Sequence, residues 1–193
     1  KQKNSKPDYI DVVYNKKDKP FTVYPTHLIT YLIKRFKVKK DSKILEVGSG
    51  RGEFINEFYK CGFDTYAVDN SNSTADYFPN INFIKLDLER EKLPFDDDTF
   101  DVIFSKSVIE HFYYPENLMR ENFRVLKKGG MIITLTPEWN FIYKSFYEDY
   151  SHRTPFTKIS LKDLKAIIGF KNIQVESFKQ LPILWKKNLF TPF

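Results

Sequence analysis

Three carboxylates and a run of glycines are the residues of this chain best suited to hold a polar ligand. The segment Ile44-Leu45-Glu46-Val47-Gly48-Ser49-Gly50-Arg51-Gly52 places glycines at alternate positions behind an apolar stretch. Alternate glycines let a backbone turn sharply and let a ligand approach closely. Helix amides from Gly52 onward can then face that ligand. A tight strand-to-helix turn uses the same glycines, so the run alone is weak evidence. Spacing narrows the reading. A dinucleotide-binding turn needs its third glycine three residues after the second. That position is Glu53, whose carboxylate repels a pyrophosphate, and the third glycine is instead Gly52. The turn suits a nucleoside ligand without a diphosphate and disfavours an NAD(P) oxidoreductase. Asp69 lies 21 residues past Gly48, close to the offset of about 20 at which an acid reads ribose hydroxyls. Asp87 can accept from an adenine amino group with Leu88 against the ring. Each aspartate is also readable as a solvated strand end or a helix cap; three such features in register point to a ligand.

Proton-transfer candidates are few, because there are only three histidines. His111 follows the fourth expected strand. His152 lies in Tyr150-Ser151-His152-Arg153-Thr154-Pro155-Phe156-Thr157, a loop after the fifth strand that should overhang the site. His152 is expected to face the substrate with His111 supporting it, although His111 can equally cap a helix or bridge two loops. His27 reads as a surface or packing residue. The segment 139–150 carries Trp139, Phe141, Tyr143, Phe146, Tyr147 and Tyr150. These rings either form a lid that excludes water and frames a ring-shaped acceptor, or fill the core. Tyr147, Asp149 and Arg153 are the candidates for touching an acceptor, and Glu148 and Asp149 for orienting His152. No metal site is expected, and the single Cys61 excludes a cysteine-built zinc site and an internal disulfide.

The elements that must position these groups follow from periodicity. Pro25 can open a helix with Leu28, Ile29, Leu32, Ile33 and Phe36 on one face. Short apolar runs at 43–47, 63–68, 81–86, 101–105, 131–135 and 173–175 read as six strands. Helices are expected at 52–60, at 71–78, from Pro115 to Lys128, and from Ser160, whose spacing to Asp163 suits a capping box, to Gly169. Residues 88–99 read as a loop. Strands alternating with helices imply a doubly wound α/β fold: a mostly parallel Rossmann-like sheet with helices on both faces, in a single domain. Such sheets bind ligands beyond the carboxyl ends of their strands, which places Glu46 to Gly52, Asp69, Asp87, Ser105 and Thr136 on one rim. Residues 1–20 read as a polar arm or strap before a domain at 21–193, with a ligand-binding half at about 43–136 and a substrate-side lid at about 137–158.

With 193 residues, 41% hydrophobic and 29% charged, the composition is that of a globular protein able to bury a core without staples. No apolar run reaches the roughly 20 residues of a membrane span. The first residues lack the apolar segment of a secretion signal, so a cytoplasmic location is expected. Net charge is +6, but only six of the 31 basic residues are arginine. Scattered lysines read as a solvated surface rather than a nucleic-acid footprint.

In these motifs the sequence resembles the class I S-adenosylmethionine-dependent methyltransferases, in their small-molecule branch. The resemblance is carried by Leu45 to Gly52, Asp69, Leu86-Asp87, Leu93-Pro94-Phe95 to Phe100-Asp101-Val102-Ile103, Val108-Ile109-Glu110-His111-Phe112, and Glu121-Asn122-Phe123-Arg124-Val125-Leu126-Lys127-Lys128-Gly129-Gly130. It implies that Glu46 with Gly48, Ser49 and Gly50 holds the methionine end of the cofactor. It further implies that Asp69 and its neighbour Asn70 take the ribose, Asp87 and Leu88 the adenine, and that Ser105 sits beside the sulfonium. S-adenosylhomocysteine would be the product. Asp149 to Thr157 fits an Asp-x-x-His-x-x-x-Phe-Thr pattern of similar proteins. The resemblance implies a small-molecule acceptor methylated at oxygen or nitrogen, no DNA partner, and a monomer or homodimer. An RNA-modifying enzyme is the first rival; the Asn/Asp-Pro-Pro-Tyr/Phe signature of amine-directed nucleic-acid enzymes is replaced here by Ser105-Lys106-Ser107-Val108. A non-catalytic cofactor-binding relative is the second. The family's usual sixth and antiparallel seventh strands have little chain left to form them after Val175.

Overall fold

Five of the apolar segments pair into one parallel sheet: β1 (Lys43–Val47), β2 (Asp64–Asp69), β3 (Asn82–Lys85), β4 (Phe100–Lys106) and β5 (Leu126–Leu135), in the spatial order β3-β2-β1-β4-β5. The computed structural model describes residues 9–185. Val47 pairs with Val68, Asp69 with Lys85, and Glu46 with both Ala67 and Phe104. Successive strand residues point to opposite faces, and here both faces are covered. On one, Leu45, Val47, Val68 and Ile103 pack against α5 (Pro115–Val125) and α7 (Lys158–Ile168) through Leu118, Met119 and Leu161. On the other, Ile44, Ala67, Val102 and Phe104 meet α2 (Tyr24–Phe36) and α3 (Glu53–Lys60) through Leu28, Ile29, Ile55 and Phe58. This is the doubly wound single-domain α/β architecture expected. The strand order reverses at β1, so the crevice between the ends of β1 and β4 is where such a sheet takes its ligand. Shorter helices are α1 (Tyr9–Val13), α4 (Ser73–Tyr77), α6 (Trp139–Ile142) and α8 (Pro182–Trp185). No helix among the described residues is long and apolar enough to cross a membrane.

Three expectations are corrected. β5 begins at Leu126, so residues 127–130 belong to a strand, irregular at Gly129 (φ +78°), rather than to a helix end. Leu126 is buried opposite Phe100, and the Lys127 ammonium lies 2.9 Å from both carboxylate oxygens of Asp101, which draws this stretch into the ladder. α7 starts before Ser160: Thr157 is its cap, its hydroxyl accepting from the Ser160 amide at 3.1 Å while Ser160 Oγ accepts from the Thr157 amide at 2.9 Å. The sixth strand at 173–175 does not form. Asn172 turns the chain at φ +53°, and Ile173 and Val175 lay their side chains on the core under α5 and α7 without a backbone bond to β5. α8 then returns Trp185 onto Tyr31 and Phe178, at ring separations of 5.2 Å each. The remainder of the expected last strand, residues 186–193, lies outside the described residues.

Candidate functional site

The turn after β1 takes the left-handed conformations that its glycines permit: φ is +74° at Gly48, +53° at Gly50 and +79° at Gly52. Gly48 has a second constraint, since a Cβ there would lie 2.4 Å from Val108 Cγ2. Two carboxylates hold the turn in place. Glu46 is buried, and its Oε2 accepts the Ile55 amide at 2.8 Å inside the first turn of α3. That burial pushes the Glu46 carboxyl well above the usual range. Asp69, at the end of β2, accepts the Gly50 amide at 2.8 Å and the Ser71 amide at 2.7 Å. Ser49 Oγ meets Thr74 Oγ1 at 2.8 Å, joining the turn to α4. Glu53 is paired with the Arg51 guanidinium at 2.7 and 3.0 Å. Arg51 also donates to the carbonyls of Tyr14 and Lys19, at 3.0 and 2.6 Å.

Beyond these strand ends lies a cavity of about 570 Å³, within the roughly 300–1,000 Å³ of small-molecule sites. Eight of the nine residues expected to hold the cofactor line it together: Glu46, Gly48, Ser49, Gly50, Asp69, Asn70, Asp87 and Leu88. Asp87 Oδ1 accepts the Glu89 amide at 3.1 Å. Ser105 does not line the cavity. It is buried within β4 opposite Thr134, and the next residues, Lys106 and Ser107, take the wall position. The Lys106 ammonium lies 5.6 Å from the Phe54 ring centre and 6.0 Å from that of Tyr24, and burial lowers its pKa against the pull of Glu110 and Glu46. Sequence reasoning missed Lys106, whose only signal is its place at the end of β4.

It also missed the roof. Tyr9 and Ile10 of α1, with Tyr14, form part of the cavity wall, so the N-terminal segment closes the site. The Tyr9 hydroxyl donates to Asp149 Oδ2 at 2.7 Å. Burial acts to raise the Asp149 pKa, but hydrogen bonds from Ser151 and Tyr9 hold it down at about 2. The available signal was the apolar patch Tyr9, Ile10, Val12, Val13 and Tyr14 inside an otherwise polar N-terminal segment.

On the substrate side the two histidines meet, their ring centres 4.8 Å apart. His111 lines the cavity and His152 lies behind it, against Phe146 at 4.4 Å. His152 Nδ1 lies 2.6 Å from the Phe146 carbonyl oxygen, which turns the ring inward, away from the position expected to face a substrate. His111 Nδ1 lies 2.9 Å from Ser151 Oγ, which bonds Asp149 at 2.5 Å. Burial, then the neighbouring His152, lowers the His111 pKa below the ordinary imidazole value. Tyr147, Asp149 and Arg153 do not line the cavity. Tyr147 is exposed beside Trp139 and Phe146. Arg153 donates to the Tyr150 carbonyl and covers the Tyr113 ring at 5.1 Å. Tyr150 and Ser151 reach the cavity instead. The aromatic segment divides: Phe146 is core, whereas Phe141, Tyr143, Tyr147 and Tyr150 are exposed. His27 is exposed on α2.

The donor set fits a cationic nucleoside: carboxylates on three neighbouring strand ends, backbone open to close approach at Gly50, and Leu88 and Ile10 as apolar walls. Comparison with known proteins agrees. Residues 45–134 match the family model described as "Methyltransferase domain". An uncharacterised protein of Methanocaldococcus jannaschii is 31% identical over 183 residues, 93% of this chain and 76% of that one. In fold, the chain is similar to an S-adenosylmethionine-dependent methyltransferase from Archaeoglobus fulgidus (TM-score 0.69, 18% identity, 94% of this chain and 91% of that one). It is also similar to a chain of the solved complex between the Haloferax volcanii Trm112 methyltransferase activator and its methyltransferase (TM-score 0.72, 20% identity, 86% and 77% covered).

Proposed function

The chain belongs to the methyltransferase-domain family of class I S-adenosylmethionine-dependent enzymes, and from that premise we propose that it transfers the cofactor's methyl group to an oxygen or nitrogen of a small-molecule acceptor. The observation that carries this reading is a single cavity running from the acids of the glycine turn to His111 under the roof of α1. The cofactor brings an activated methyl group on a positively charged sulfur. Glu46 and Lys106, an acid and a cation on one wall, receive the ammonium and carboxylate of its amino-acid end. Asp69 and Asn70 take the ribose hydroxyls, and Asp87 and Leu88 take the adenine. Ser107 holds the wall position beside the sulfur, with Ser105 supporting it from within the sheet.

Positioning does most of the work, since a well-oriented pair of reactants saves up to about 7–11 kcal/mol of barrier. Tyr9, Tyr14 and Tyr150 frame the acceptor and exclude water. Asp149 acts through its bonds to Tyr9 and Ser151, and Arg153 and Tyr147 hold the outer face of the loop. Where the acceptor carries a hydroxyl, His111 is the wall residue that takes its proton. Its lowered pKa keeps it neutral, and so able to accept, at pH 7. His152 backs the ring.

Mass spectrometry of ligand retained by the purified protein, followed by a labelled-methyl screen over phenols, catechols, amines, carboxylates and bulk RNA, tests the reading. Transfer to a small molecule, lost in His111→Ala with cofactor affinity kept, is expected. Label entering only RNA, or no acceptor at all, would overturn it in favour of the RNA-modifying or the non-catalytic alternative.

A further inference from the structure

The residue before His111 is the least explained polar group near the site. Glu110 is fully buried. Its Oε2 accepts from the Thr136 hydroxyl at 2.9 Å, but its Oε1 is enclosed by protein with no hydrogen-bond partner. An unsatisfied buried carboxylate oxygen is costly, and a cation is what it lacks. The groups around it are the two imidazoles. One carboxylate oxygen of Glu110 and one nitrogen of each histidine ring lie within 4.8 Å of one another.

The imidazoles are set up to receive a cation. The Phe146 carbonyl can only accept, so His152 Nδ1 carries the proton in their 2.6 Å bond. Ser151 gives its own proton to Asp149 and so accepts from His111 Nδ1. Both rings are thereby assigned, from their hydrogen-bond partners, as the tautomer whose Nε2 presents a lone pair. A ligating histidine is oriented in this way, its second nitrogen donating to a carbonyl or, through one hydroxyl, to a carboxylate. The backbone adds rigidity: the Glu110 carbonyl accepts the amides of Arg153 at 2.7 Å and Thr154 at 3.0 Å, fastening the loop that carries His152 to the turn that carries Glu110 and His111.

We propose that Glu110, His111 and His152 form a binding site for a divalent first-row transition cation, which His111 presents to the far end of the cavity. Two imidazoles and one carboxylate suit zinc, cobalt or iron(II), and leave coordination positions open on the side facing the cavity. Ligand bonds of about 2.0–2.2 Å put neighbouring donor atoms roughly 3.0–3.4 Å apart, so a separation at the 4.8 Å limit of the cluster closes by about 1.4–1.8 Å on binding. This assignment does not rest on the identity of the methyl acceptor; the His111 Nε2 lone pair serves the cation when one is bound and an acceptor's proton only when none is, and the site is tested without cofactor or acceptor.

Untagged protein stripped with a chelator is titrated separately with Co²⁺ and Zn²⁺ by calorimetry, with visible absorption recorded for cobalt. One site per chain is expected, with cobalt bands of low coordination number and a zinc-dependent rise in melting temperature. Glu110→Gln, His111→Ala and His152→Ala should each weaken binding at least about tenfold, whereas His27→Ala, at an exposed histidine on α2 that is not part of the cluster, should leave it unchanged. Where one of these variants does not fold, Ser151→Ala decides: loss of the partner that orients His111 should lower affinity about ten- to a hundredfold. Absence of binding at millimolar metal, equal affinity in the folded Glu110 and His152 variants, an unchanged affinity in Ser151→Ala, or loss on replacing His27 would each overturn the assignment.

Discussion

Replacing Asp69 by alanine interrogates more of the site than any other single change. Its carboxylate accepts the Gly50 and Ser71 amides at 2.8 and 2.7 Å, and it lines the cavity. Two separable losses follow. The proposed ribose contact is a hydrogen bond to a charged group, worth about 1.5–3 kcal/mol, so affinity for the cofactor product S-adenosylhomocysteine should fall roughly ten- to 150-fold. The two amides that anchor the glycine turn lose their acceptor but regain water at this half-buried position. The net cost is about 2 kcal/mol, or roughly 4–8 °C in melting temperature for a chain of this size. Calorimetry reads the first loss and a thermal melt the second. Asp69→Asn helps to separate them, because it keeps the shape and one accepting oxygen but not the charge. It should melt closer to the parent while still binding more weakly. A lower melting temperature with product affinity within twofold of the parent would refute the ribose role and leave Asp69 as a brace for the turn.

Gly50→Val forces a branched side chain onto a residue at φ +53°, a conformation that L side chains rarely adopt, and adds bulk to the cavity wall beside Ile10; cofactor binding measured by calorimetry should be lost. Lys165 is buried on α7, and burial lowers its pKa to about 8. The unfolded chain therefore binds more protons than the folded one between about pH 8 and the ordinary lysine value near 10.4, so stability rises with pH across that window and the penalty is fully present below it. Lys165→Met should remove that slope and raise stability at pH 7 by up to about 3 kcal/mol, read from denaturant unfolding at pH 7 and pH 10. Arg51→Met removes the donors to the Tyr14 and Lys19 carbonyls; amide exchange over residues 9–19 should quicken and cofactor dissociate faster, with the sheet amides of β1 and β4 still protected.

What the amino-acid order determines is local. The strand at 43–47, the turn at Gly48 to Gly52 and the acids at the ends of β2 and β3 were legible because each rests on a short-range rule: apolar runs that fit a covered sheet, glycine's access to positive φ, and carboxylates spaced one βα unit apart. The doubly wound fold follows from the alternation itself. Where several local signals compete, packing decided. Lys127 to Gly130 reads as a helix stop, yet Asp101 and the burial of Leu126 draw it into β5. Ile173 and Val175 read as a strand, yet the core under α5 and α7 takes their side chains without a ladder. Ser105 has the expected sequence position, but its depth in β4 passes the wall to Lys106 and Ser107. The arrangement on the substrate side belongs wholly to the tertiary structure. Tyr9 reaches Asp149 across 140 residues, and His152 reaches the back of His111 only because the Glu110 carbonyl fastens its loop. Contacts closed over such separations depend on where a whole sheet places its loops, and no periodicity or spacing in the chain encodes that.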